Sequence, residues 1–107
     1  MDKKKLAQAV KRMEYCYKKG MLGARNMYQD DDGKLCVIGC LFDKEALAEL
    51  RPLYNIATIG GLYRQYERLV EVLGDNQAEL SAAQTINDIY SPLAAIKYLK
   101  RVIKNAN

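Results

Sequence analysis

Apolar side chains recur three and four residues apart through most of the chain, which predicts helices, and the few places where the recurrence fails predict their ends. In the first twenty residues, Leu6, Ala9, Val10, Met13 and Tyr17 share one side, with Lys11, Arg12, Lys18 and Lys19 largely elsewhere around the wheel. This spacing predicts an amphipathic helix that stops at Gly20. From Gly20 to Gly33 the period is lost, and "KGMLGARNMYQDDDGK" reads as a loop with one short extended piece near Met27 and Tyr28. Beyond it, Val37, Cys40, Leu41, Leu47 and Ala48 fit a second buried helix starting at Cys36. Gly39 interrupts that pattern, and Asp43 offers a cap for a separate helix from Lys44. The competing local reading is a small β-hairpin near residues 26–38, because Asp32-Gly33 is a turn signal between short runs of β-forming residues.

Pro52 breaks the pattern again. Ile59, Leu62, Tyr66, Leu69, Val70 and Leu73 then form one side of a third helix that closes at Gly74. The Gly60-Gly61 pair would cost roughly 2 kcal/mol against alanines inside a helix, so it marks a helix start or a close helix crossing. Ser81 and Gln84 have the spacing of a capping box, "SAAQ", opening a short helix through about Ile89. Ser91-Pro92 supplies an N-cap and the residue preferred at the first helical position. The last helix turns Leu93, Ile96, Leu99, Val102 and Ile103 inward and Lys97, Lys100, Arg101 and Lys104 outward, with its cations towards the end where the helix dipole favours them. The pattern as a whole predicts a mainly α chain, residues 1–107 forming a single-domain bundle of about five helices, with the hairpin as its one candidate for β structure.

Composition narrows the chemistry by exclusion. There is no histidine among the 107 residues. Ser-His-Asp and Cys-His catalysis and imidazole zinc sites are therefore absent. The "CVIGC" spacing is not a zinc knuckle, so neither a metal nor another cofactor is expected. No run approaches the ~18 uninterrupted apolar residues of a membrane span, and the basic start lacks the apolar core of a signal peptide. A cytoplasmic protein with Cys16, Cys36 and Cys40 as free thiols is the expectation.

Charge is segregated along the chain. Residues 1–19 carry seven Lys/Arg against Asp2 and Glu14, residues 20–96 carry six against eleven acids, and residues 97–107 carry four against none. Such a distribution builds either an internal electrostatic match or a one-sided basic patch, and the fold decides which. Lys3, Lys4 and Lys5 stand at a helix start, where the dipole disfavours cations, and predict a frayed, solvated end or a contact with an acidic surface or phosphates.

Four clusters are candidates for function. The aspartates of "QDDDGK" fail as a calcium loop, because placing Gly33 at the invariant glycine puts Tyr28 and Gly39 at ligand positions. Asp32-Gly33 is better read as turn or cap chemistry. Cys36 would need a helix N-terminus or a cation to lower its pKa, and three neighbouring aspartates oppose that, so Cys36 and Cys40 read as core residues. In "YRQYER", Tyr63, Arg64 and Arg68 have the composition of a protein-binding hot spot or of a base-stacking surface, although Glu67 and Glu71 on the same helix would repel phosphate. The end of the chain, "LSAAQTINDIYSPLAAIKYLKRVIK", looks like a helix-turn-helix whose Lys97, Lys100, Arg101 and Lys104 would face phosphates or bases, although its turn lacks glycine.

The segments "GAR", "DDGKLCVIGCL" and "INDIYSPLAAIKYLKRV" together resemble small uncharacterised bacterial and phage helical proteins. That resemblance rests on a D-x-G-x-x-C-x-x-G-x-L segment and an Asn-Asp pair before the last helix, and spans residues 6–103. It implies compact helical architecture, a mobile-element setting, and architectural roles for Gly33, Cys36, Gly39, Asn87 and Asp88. No activity comes with it. The expected function is a small non-enzymatic binding protein, a phage or mobile-element accessory factor that docks on a host or defence protein. The alternative is a helix-turn-helix DNA-binding protein using the last helix, so that the partner is nucleic acid rather than protein. A cysteine-dependent enzyme is the third reading.

Overall fold

The computed structural model of the chain describes residues 1–25, 28–50, 59, 61 and 71–106. Within them the protein is mainly helical: α1 (Lys3–Lys18), a 3-10 turn (Gly39–Leu41), α2 (Lys44–Leu50), α3 (Gln77–Ile89) and α4 (Pro92–Asn105). Four helices are thus delimited among the described residues where the pattern predicts about five. Residues 59, 61 and 71–73 are also helical, in the stretch assigned to the third predicted helix. The remaining positions of its apolar side, Leu62, Tyr66, Leu69 and Val70, and the break at Pro52 lie outside the described residues.

Helix α1 begins where Asp2 accepts a hydrogen bond from Lys5 N at 3.1 Å. It ends in a Schellman closure, with Met21 N donating to Cys16 O at 3.0 Å and Gly20 N to Tyr17 O at 3.1 Å. Its buried side is Leu6, Ala9, Val10, Met13 and Cys16. Tyr17, expected inside, is 44 % exposed, and Cys16 is buried in its place. The reason is tertiary: the last turn of α1 packs towards the 3-10 turn and Cys40, which rotates the buried stripe by one residue.

The first turn of α1 is not a frayed basic end. Lys5 Nζ donates to the carbonyl of Glu71, near the close of the helical stretch at residues 71–73, and Lys3 Nζ to Ala106 O at 3.4 Å, just beyond α4. Cations unfavourable at the start of their own helix thus sit at the negative ends of two others.

Between α1 and α2 the chain crosses the interior without forming a strand among the described residues. A turn over Asp30–Gly33 is closed by Gly33 N donating to Asp30 O (3.0 Å) and by Asp32 N and Lys34 N donating to Asp30 Oδ1 (3.0 and 2.8 Å). Gly33 has φ +82°, a backbone setting that favours glycine. The Asp-Gly turn signal is therefore real, but the predicted hairpin shrinks to isolated bridges from Leu35 to Leu22 and to Gln29. The cause is Leu35 itself, which pairs on both sides before the chain turns away at Cys36.

One continuous helix from Cys36 does not form, and α2 starts separately at Lys44. Gly39, in the 3-10 turn between them, is where the chain passes closest to another segment. A Cβ there would overlap the carbonyl oxygen of Tyr28, which already accepts from Cys36 N at 3.2 Å. The ring of Tyr28 meets that of Phe42 edge-on at 6.1 Å, closing the same knot.

Helix α3 starts four residues before the "SAAQ" box. Asn76 takes the cap position, its carbonyl accepting from Leu80 N at 2.9 Å, which puts Ser81 inside the helix, where its own carbonyl accepts from Thr85 Oγ1. Burial decides this, because Leu80 and Asn76 are both fully inside. The Asn76 amide accepts from Asp2 N at 2.9 Å and donates to Asp2 O at 3.0 Å, tying the start of α1 to the start of α3. Leu6, Met13, Cys16, Val37, Ile38, Leu80, Ala83, Ile96 and Leu99 belong to one core cluster shared by α1, the loop, α3 and α4.

Two substitutions test this architecture. Gly39→Ala should lower stability by about 3 kcal/mol, since the obstacle is backbone and has nowhere to yield; a loss under ~0.5 kcal/mol in denaturant titration would show that the loop relaxes freely. Asn87→Leu should cost ~2–4 kcal/mol by orphaning Ala24 O and Val37 N, which the Asn87 amide otherwise satisfies.

Candidate functional site

Helix α4 is fixed at its start by Ser91, whose Oγ accepts from Ala94 N at 3.0 Å, and by Pro92 at the first position. Ala95, Ile96 and Leu99 are buried, while Leu93, Val102 and Ile103 are half-buried. Ala95 is fully buried on this helix, against which both α3 and α1 pack. Lys97, Lys100, Arg101 and Lys104 are all exposed, as the spacing predicts. Lys97, Lys100 and Arg101 line, with Ala94, a shallow open depression of about 490 Å³.

The tertiary structure joins this surface to α1. Lys100 Nζ lies 3.4 Å from Glu14 Oε2, and Lys3 Nζ reaches the carbonyl of Ala106, so α1 and α4 run alongside each other with the start of one near the end of the other. The Lys100–Glu14 pair is solvated at both partners and contributes little to stability. Its value is to identify the edges that meet. On α1, which advances ~100° per residue, Lys4, Lys11 and Lys18 fall seven residues apart in one row beside Glu14. All three are exposed. This row and the four cations of α4 flank the α1–α4 seam, with Glu14 the acid between them.

The sequence pattern singles out the α4 cations and misses the α1 row as part of the same site. The signal was present in the seven-residue spacing of Lys4, Lys11 and Lys18, but nothing in the sequence says which helix lies beside them. Tyr63, Arg64 and Arg68, the other candidate binding residues, lie outside the described residues.

The acidic turn is not the counterpart of the basic ends in any hydrogen bond of Asp30, whose carboxylate accepts from the backbone of its own turn. Asp31 and Asp32 are exposed. The turn is a structural device that delivers Cys36, Val37 and Cys40 to the core.

The three thiols are buried and free. Burial pushes the Cys36 thiol up to about 12, only partly offset by backbone hydrogen bonds such as that from Gly39 N at 3.1 Å. Burial also raises Cys40, and the neighbouring Cys16 and Cys36 add to the effect; its thiol donates to Val37 O at 3.1 Å. A nucleophilic cysteine needs a lowered pKa and access, and Cys36 and Cys40 have neither. Among the described residues no group of three His, Cys, Asp or Glu is placed to hold a metal ion, and no helix is long and apolar enough to cross a membrane. No family model, curated protein or solved structure matches the chain.

Buried acids of this kind make stability depend on alkaline pH. Tyr28 is also raised, from 10.0 to about 12, by burial, against a hydrogen bond to Gln84 that works the other way. Below pH 9 the folded and unfolded chains both keep these protons; between pH 9 and 12 the unfolded chain releases them while the folded one holds them, so stability falls. The expected slope approaches about 1.4 kcal/mol per pH unit for each group, and Cys36→Ala should flatten it in denaturant titrations across that range. Cys36 should also alkylate slowly in native protein and quickly after denaturation; equal rates would show an accessible thiol.

Proposed function

We propose that the chain is a small, non-enzymatic, single-domain binding protein of the cytoplasm whose basic α1–α4 face docks on double-stranded DNA. One observation carries this: Lys4, Lys11 and Lys18 from one end of the sequence and Lys97, Lys100, Arg101 and Lys104 from the other flank a single helix seam. Seven exposed cations with Glu14 beside them make a field that attracts phosphate, and it draws on both basic ends of a chain whose middle is acidic. The α3–α4 pair is not needed as a helix-turn-helix for this. Only Tyr90 and Ser91 separate its helices, fewer than the three or four residues of the usual turn.

A second reading is the accessory factor of phage or mobile-element origin that docks on a host or defence protein. It is supported by Ile89 and Tyr90, 64 % and 68 % exposed at the α3–α4 corner, where Arg25 Nη2 donates to Tyr90 O at 2.7 Å. Tyrosine and arginine beside an exposed apolar residue have the composition of a protein hot spot.

Charge reversal separates the two. Changing Lys97, Lys100, Arg101 and Lys104 to glutamate should abolish duplex binding at low salt with the helical circular dichroism unchanged, whereas Ile89→Asp with Tyr90→Ala should leave it intact. Loss of a nuclease-resistant stoichiometric partner on Ile89→Asp/Tyr90→Ala, with no duplex binding by the wild type, would favour the protein-docking reading.

A further inference from the structure

The width of the basic face decides how it meets a duplex. A single α-helix with its side chains is ~10–12 Å across and fills the ~12 Å major groove. Here α4 has α1 packed against one side, and the cations lie on both helices rather than on α4 alone. Two helices packed ~8–10 Å apart present a surface roughly 20 Å broad. Such a surface does not enter a groove.

We infer that the α1–α4 face binds double-stranded nucleic acid by its phosphates alone, without reading base sequence, its two cation rows lying across the backbone. The inference rests on the reading that this face binds a duplex.

The side chains agree with backbone contact. Lys4, Lys11, Lys18, Lys97, Lys100 and Lys104 are point charges on flexible stems, which suit phosphate oxygens, and Arg101 is the one fork among the seven. The Lys4–Lys18 row spans fourteen residues of α1, or about 21 Å, and so reaches several phosphates of one strand. Single strands are a poorer match. They are held largely by stacking on aromatic rings, and Tyr15, which neighbours the α1 row, already has the Arg12 guanidinium 5.4 Å and the Lys19 ammonium 5.8 Å from its ring centroid. Glu14 is the counterweight. It lies between the rows and holds Lys100 at 3.4 Å, which limits the charge available to a duplex.

The test is a fluorescence titration of the full chain with two unrelated ~20-base-pair duplexes over a range of salt, with poly-glutamate as an acidic polypeptide for comparison. Wild type should bind the two duplexes within about threefold of each other, with log K falling against log salt at a slope between about −4.5 and −6.3, as expected for five to seven neutralised phosphates. Changing Lys4, Lys11 and Lys18 to glutamine should lower the slope by about 2 to 3, as should changing Lys97, Lys100 and Lys104 to glutamine. Glu14→Gln should tighten binding. A preference above a hundredfold for one duplex, or full retention of affinity after removal of the α1 row, would overturn the inference while leaving duplex binding in place. No binding to either duplex at low salt, or equal affinity for poly-glutamate, would overturn the duplex reading itself. Retained thermal melting in each variant shows that the chain is folded.

Discussion

The side chain of Asn87 is the constraint on which the interior depends. It is fully buried in the last part of α3, where its Nδ2 donates to Ala24 O at 3.1 Å and to Asp88 Oδ1 at 3.0 Å while its Oδ1 accepts from Val37 N at 3.3 Å. A loop that runs through a core brings backbone groups away from water, and each needs a partner. Here one amide serves both passes of the loop, at residues 24 and 37. Tyr28, Cys36, Val37 and Ile38 can then be packed as core residues although they belong to no long helix. Gly39 completes the arrangement by letting the chain pass against the Tyr28 carbonyl, and the buried thiols fill what space remains.

A second set of polar contacts closes the bundle at the other end. Asn76 holds both the N–H and the carbonyl of Asp2, and the first-turn lysines of α1 reach the carbonyls of Glu71 and Ala106. Local helix electrostatics would place acids rather than cations in that turn. The neighbouring helix ends reverse the preference, so Lys3 and Lys5 belong to the fold, while the exposed Lys4 between them belongs to the basic surface. Exposed rows of cations repel one another, and their concentration along one seam works against compactness. The hydrophobic cluster shared by the two helices holds the seam together despite that repulsion.

Legibility in the sequence followed periodicity. The inward residues of α1 and α4 and the outward cations of α4 were readable because a helix repeats its exposure pattern locally. The Asp-Gly turn and the Ser91-Pro92 start were readable because their chemistry acts over a few residues. What failed were local signals that tertiary packing overrode. "SAAQ" suggests a helix start at Ser81, and the burial of Asn76 and Leu80 moves it back to Asn76. Tyr17 continues the apolar stripe in the sequence, and the packing of α1 on the 3-10 turn buries Cys16 instead. Leu35 flanked by a turn suggests a hairpin, yet it pairs on both sides and extends on neither.

The sequence by itself determined the helical class, the charge segregation and the absence of histidine chemistry, since each is written in residue types and their short-range spacing. The tertiary structure alone decided that the two basic ends of the chain share a seam and that Asn76 ties the start of α1 to the start of α3. Those facts depend on which elements pack together across seventy or more residues. Such pairings are set by summed burial and by a few long-range, partly buried hydrogen bonds, Asn76 to Asp2 chief among them, and no local pattern in the chain records them.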